Sequence, residues 1–106
     1  MPMAAAPSAV DAAALGLPGS AGARASPMDA GFLAVQGTSA LNQMYFMYWP
    51  AARGDPDARL ILWLQGGPGA SWLFGNWVEI GPYGVGATGK AYARNETWNE
   101  KYALLF

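Results

Sequence analysis

The chemistry this chain can do is concentrated in Gln65-Gly66-Gly67-Pro68-Gly69-Ala70-Ser71 and in Glu79 just beyond it. An apolar run, Leu60-Ile61-Leu62-Trp63-Leu64, leads directly into this turn with its three glycines. Backbone N–H groups gathered at a strand end can hold a developing negative charge, which is what acyl transfer requires. The Gln65 amide can donate to a carboxylate oxygen. Glu79 can donate only when protonated, which takes burial or a neighbouring carboxylate. One absence opposes this picture: the 106 residues include no histidine, so no imidazole base serves a nucleophile. Ser71 lies in Gly69-Ala70-Ser71-Trp72-Leu73, which is not the Gly-x-Ser-x-Gly elbow. It reads as a helix cap or a hydrogen-bond partner inside the turn.

The elements around the turn must position it. Gly31-Phe32-Leu33-Ala34-Val35-Gln36 reads as a first strand and Gly37-Thr38-Ser39 as a turn. Met44-Tyr45-Phe46-Met47-Tyr48-Trp49 is an aromatic second strand, followed by a Pro/Gly/Asp loop. The short link suits antiparallel neighbours. Leu60 to Leu64 is the third strand, with Leu60, Leu62 and Leu64 on one face and Ile61 and Trp63 on the other. Both faces are apolar, so this strand is expected inside a sheet and covered on both sides. Residues 71–80 read as a short buried helix, since Trp72, Leu73, Phe74, Trp77, Val78 and Ile80 leave almost no polar face. Gly75 within it suggests close packing, and Gly81-Pro82 stops it. The stretch 83–94 reads as Gly-rich and irregular, and Tyr102 to Phe106 as a fourth strand.

Composition narrows the function classes. The net charge is −1 and the six basic residues form no cluster, so nucleic acid is not an expected partner. With neither Cys nor His, no disulfide, metal site or haem cofactor is expected. No apolar run is long enough for a membrane helix, and no membrane is expected. Residues 1–30 contain 11 alanines, with little to pack, and read as a disordered leader and candidate targeting segment. Residues 31–106 form the folded part. Asn95-Glu96-Thr97 is an N-glycosylation sequon.

Trp63-Leu64-Gln65-Gly66-Gly67-Pro68-Gly69-Ala70-Ser71, followed by Gly75, Glu79 and Gly81-Pro82, resembles the N-terminal signature of the serine carboxypeptidases. The flanks agree: Gly31 to Val35, the aromatic strand, and Trp98-Asn99 before the last apolar run. Gln65 and the Phe74-Gly75…Val78-Glu79 pattern are similar to the vitellogenic-like members. The resemblance covers residues 31–106, about a fifth to a sixth of such a catalytic domain. It implies the N-terminal part of an α/β-hydrolase fold, with antiparallel strands leading into a mixed sheet. It also implies that the Gly67 backbone N–H is an oxyanion-hole donor. Gln65 and Glu79, with a second Glu downstream and Trp63 in support, would recognise the terminal carboxylate of a peptide or protein substrate at acidic pH, and Gly66 would be a further substrate-binding residue. The sequon at Asn95 then fits the secretory pathway, a lysosome or vacuole, or the extracellular space. Three positions depart from the family pattern: Gln65 replaces the commoner Asn, Ala70 replaces a Cys, and Trp72 replaces a second Ser.

On this reading the nucleophilic Ser, the Asp and the His lie outside the sequence, and the chain alone is expected to be inactive. Two alternatives belong to other classes. One is a non-catalytic interaction protein that pairs through exposed sheet edges. The other is a different α/β hydrolase such as a prolyl aminopeptidase, though that group places His where Gln65 stands.

Overall fold

The computed structural model describes residues 8–10, 28–37 and 42–106. Among these, seven strands form two sheets. The larger sheet runs in the order β1 (Ser8–Val10), β2 (Met28–Ala34), β3 (Gln43–Trp49), β7 (Ala103–Leu105), β4 (Leu60–Leu62). The smaller is a hairpin of β5 (Tyr83–Val85) and β6 (Ala91–Ala93). β1, β2, β3 and β7 are antiparallel in succession, and β4 joins β7 in parallel. The larger sheet is therefore mixed.

Several elements differ from the sequence expectation. Ser8–Val10 of the expected leader pairs with β2, which itself begins at Met28 rather than Gly31. The rest of that leader, and Thr38-Ser39 of the first turn, lie outside the described residues. The third strand is short and stands at the sheet edge, not inside it. The stretch 83–94, expected to be irregular, holds the β5–β6 hairpin. Its Gly84 lets Tyr92 lie across the strand, since a Cβ there would meet Tyr92 Cζ at 2.5 Å.

Side chains directly opposite each other in a ladder share a face. The registers therefore put Met28, Met47, Trp49, Leu104 and Phe106 on one face, and β4 adds Ile61 and Trp63 to it. Ile80 and Tyr83, from the crossover between β4 and β7, close over this face and complete the core. The opposite face carries Leu33, Met44, Leu60 and Leu62, all more than half exposed. The two apolar faces of the third strand thus meet different fates: one is packed and one is bare.

The crossover helix is a wide π-helical segment, Gly75–Ile80, entered through a turn at Trp72 and two α-helical residues, Leu73 and Phe74. It is only half buried. Gly75, Asn76 and Ile80 are inside, while Leu73, Phe74 and Val78 are exposed. The buried side is held by a polar residue: Asn76 accepts from the Trp49 indole at 2.8 Å and is 1% exposed. Gly81 then lets the chain double back, because a Cβ there would collide with the Asn76 carbonyl oxygen. No helix of the described residues is long and apolar enough to cross a membrane.

Candidate active site

β4 and β7 run in parallel, and the glycine turn leaves the sheet at the C-terminal end of β4. The last ladder bond is Trp63 N–H to Leu105 O at 2.8 Å. Ligand sites in sheets with parallel strands gather at such strand ends. Gly67-Pro68-Gly69-Ala70 closes as a β-turn through Ala70 N–H to Gly67 O at 2.9 Å. Pro at the second position and a glycine with φ of 83° at the third fit a type II turn. Gly67 itself has φ of 82°, which L side chains rarely adopt. The only neighbour a Cβ there would meet is Ala70 Cβ at 3.8 Å, so backbone conformation rather than crowding selects glycine. Residues 66–70 are exposed, and the Gly67 N–H has no partner among the described residues.

Beside the turn, the Trp63 indole N–H donates to Gln65 Oε1 at 2.9 Å. An indole nitrogen only donates, so this bond fixes which way round the amide lies. The oxygen of Gln65 faces Trp63, and the two amide N–H groups have no partner among the described residues. The Trp63 ring is braced edge-on by Trp98, with centroids 6.2 Å apart. Gly75 lies directly behind the pair: a Cβ there would clash with the indole nitrogen and come within 2.9 Å of Gln65 Oε1.

The remaining candidates are more dispersed. Glu79 is exposed on the π-helix, so the described residues supply none of the burial its proton-donor role would need. Its carbonyl, with that of Trp77, is held by the Arg94 fork at 2.6 and 2.9 Å. This guanidinium satisfies the open end of the helix in place of a backbone cap. Ser71 accepts from Leu73 N–H through Oγ at 3.2 Å and from Phe74 N–H through its carbonyl at 3.1 Å. It is therefore a turn partner at the helix entry, although the residue flanking the π-helix itself is Phe74. Trp72 stacks on Tyr45 at 5.4 Å and approaches Phe106 at 6.2 Å, tying the turn down onto the sheet.

Asn95 of the sequon is exposed, whereas Thr97 is partly buried. Thr97 Oγ1 lies 3.2 Å from Ile80 O and 2.9 Å from Asn99 Oδ1 and caps the 3₁₀ turn Trp98–Glu100. An open groove of about 440 Å³ is lined by Ile61, Thr97, Trp98, Glu100, Lys101 and Tyr102. None of the candidate residues lines it. Sequence reasoning missed Asn76 and Arg94, whose partners lie 27 and 15–17 residues away and leave no local signature.

Comparison with known proteins fixes the class. The serine carboxypeptidase family matches residues 18–106. The chain is 42% identical over 77 residues to the human probable serine carboxypeptidase CPVL (Homo sapiens), covering 73% of this chain and 16% of that protein. It is 39% identical over 77 residues to a venom serine carboxypeptidase of Apis mellifera, with the same two coverages. The crystal structure of Kex1ΔP, a prohormone-processing carboxypeptidase from Saccharomyces cerevisiae, superposes with a TM-score of 0.68 at 30% identity, over 87% of this chain and 20% of that one. The chain belongs to the serine carboxypeptidase family, and its mixed sheet with few helices is compatible with the carboxypeptidase α/β fold. It spans about a sixth of the length of the curated relatives it matches. This family membership sets aside the prolyl aminopeptidase alternative.

Proposed function

We propose that this chain supplies one oxyanion donor and part of the carboxylate-binding subsite of a serine-type carboxypeptidase, which hydrolyses C-terminal residues from peptides. The observation that carries the reading is the Trp63 to Gln65 bond. It leaves the Gln65 amide N–H groups available for an incoming carboxylate, beside a turn whose Gly67 N–H has no partner among the described residues. An oxyanion donor of this kind contributes roughly 2.7–4 kcal/mol to transition-state stabilisation. Glu79 is the second carboxylate contact in this reading. Its burial would have to come from polypeptide packed over the exposed side of the helix.

The test is a chimera in which residues 31–106 replace the matching stretch of the venom serine carboxypeptidase. Gln65→Ala should lower kcat/KM for a peptide with a free C-terminus by about tenfold or more, the scale of a lost hydrogen bond to a charge. It should leave the corresponding amide substrate nearly unaffected. Equal losses on both substrates would refute the assignment. The chain alone, with no His and no nucleophile elbow, should not react with a fluorophosphonate probe. We further assign the protein to the secretory pathway, a lysosome or vacuole, or the extracellular space, with Asn95 glycosylated. Support comes from the exposed Asn95 side chain and from relatives described as venom and prohormone-processing enzymes.

A second reading, a non-catalytic protein that pairs through sheet edges, is favoured by one observation. Edge strand β4 and the residue following Trp63 expose Leu60, Leu62 and Leu64. A single concentration-dependent complex abolished by Leu62→Lys would support it.

A further inference from the structure

We propose that Gly75 is a positioning residue for carboxylate recognition: the space left by its missing side chain is where the Trp63 indole and the Gln65 amide meet. This rests on reading Gln65 as the carboxylate donor. The argument begins with the backbone. Gly75 has no positive φ and opens the π-helix Gly75–Ile80. Its backbone conformation therefore accepts alanine, and helix propensity alone favours alanine there. Conformation does not explain the glycine, and crowding does.

A Cβ on Gly75 would overlap Trp63 Nε1, approach Trp63 Cδ1 to 2.8 Å and lie 2.9 Å from Gln65 Oε1. Those are the donor, its ring neighbour and the acceptor of a single hydrogen bond. An added methyl group has to displace the indole, the amide or both. Trp63 cannot retreat freely. Trp63 is anchored by its backbone bond to Leu105 and is braced by Trp98, and it belongs to the layer packed on the core. Gln65 has the same intermediate burial, but among the described residues its side chain is held by the indole alone, so it is the group that swings away. Once its oxygen loses the indole, nothing specifies which end of the amide faces a ligand. Gly75 thus decides whether the turn presents N–H groups or a carbonyl to a substrate's terminus.

The neighbouring Trp49–Asn76 bond provides an internal control, because Asn76 follows Gly75 directly and its pairing requires the same helix to be docked. The experiment uses the whole 106-residue chain labelled with ¹⁵N. Its five indole N–H signals are assigned by single Trp→Phe changes. In the parent chain the Trp63 and Trp49 indole protons should exchange with solvent at least about fivefold more slowly than that of exposed Trp98, the factor matching about one net hydrogen bond. N-acetyl-L-phenylalanine, but not its amide, should shift the Gln65 side-chain N–H signals.

Gly75→Ala should abolish the protection of Trp63 and the ligand-induced shift while Trp49 stays protected. Retention of Trp63 protection in Gly75→Ala overturns the proposal. If Gly75→Ala loses the Trp49 signal as well, the double variant Trp63→Phe/Gly75→Ala decides. Recovered Trp49 protection supports a collision at the indole, and continued loss overturns it. Normal indole behaviour with no response of Gln65 to N-acetyl-L-phenylalanine refutes the carboxylate reading instead, leaving the packing role of Gly75 intact.

Discussion

The indole of Trp49 and the side-chain oxygen of Asn76 form a 2.8 Å hydrogen bond in the centre of the core, with each residue 1% exposed. This bond joins the sheet to the crossover helix through the one polar group on the helix's buried side, and Asn76 Nδ2 also faces Met47 Sδ at 3.2 Å. Replacing Asn76 by Leu keeps the branched shape of the side chain but leaves the indole N–H buried without an acceptor. The expected loss is about 1–3 kcal/mol, read as a lower midpoint in urea denaturation with an unchanged slope. Trp49→Phe in the Asn76→Leu background should cost less than the sum of the two single changes.

Arg94 closes the far end of the same helix by donating to the carbonyls of Glu79 and Trp77. The two acceptors are two residues apart and both are reached by one planar fork, which a lysine ammonium cannot reproduce. Arg94→Lys should therefore behave like Arg94→Ala, each destabilising the chain by about 1–3 kcal/mol. Amide exchange should quicken in residues 77–80 ahead of the rest. A lysine variant as stable as the parent would show that charge, not fork geometry, holds the helix end.

At Gly67 the expected penalty comes from the backbone. Gly67→Ala puts a side chain at φ of 82° with no serious neighbour, so the cost should be about 1–2 kcal/mol. A chain assembled by ligation with D-alanine at this position should recover that loss, since D residues prefer positive φ. If D-alanine fails to rescue, the position is selected for space rather than conformation.

Tyr83 provides the pH dependence. It is 3% exposed, and burial raises its hydroxyl pKa above the ordinary 10.0. The folded chain therefore keeps this proton when the unfolded chain has begun to lose it. The contribution is fully present below the unfolded value and disappears as pH climbs through the folded one. Stability measured from pH 8 to 11 should decline beyond about pH 10, and Tyr83→Phe should flatten that decline.

Much of this architecture is legible in the chain itself, for identifiable reasons. Five consecutive apolar residues before Gly66 announce a strand, and Gly-Gly-Pro-Gly announces a turn with positive φ, because few other residues tolerate it. Gly75 signals close packing, and the structure supplies the partners, Trp63 and Gln65. What the pattern does not contain is the environment of β4. An apolar strand reports the burial it needs, and in this chain Leu60 and Leu62 do not find it. The β5–β6 hairpin is hidden because Gly84, Gly86 and Gly89 interrupt any alternation, yet Gly84 is needed beneath Tyr92 and Gly89, at φ of 76°, turns the chain. The half-buried helix was expected to be wholly buried for the same reason that β4 was: hydrophobicity describes demand, not supply.

The bare flank of β4 has a consequence for how this polypeptide survives in a cell. Leu60, Leu62 and Leu64 form a greasy seam, and among the described residues no strand pairs with the outer edge of β4. A chaperone, a membrane surface or an unrelated β-rich aggregate would all compete for it from the moment of synthesis. Covering that seam should lengthen the half-life of the chain.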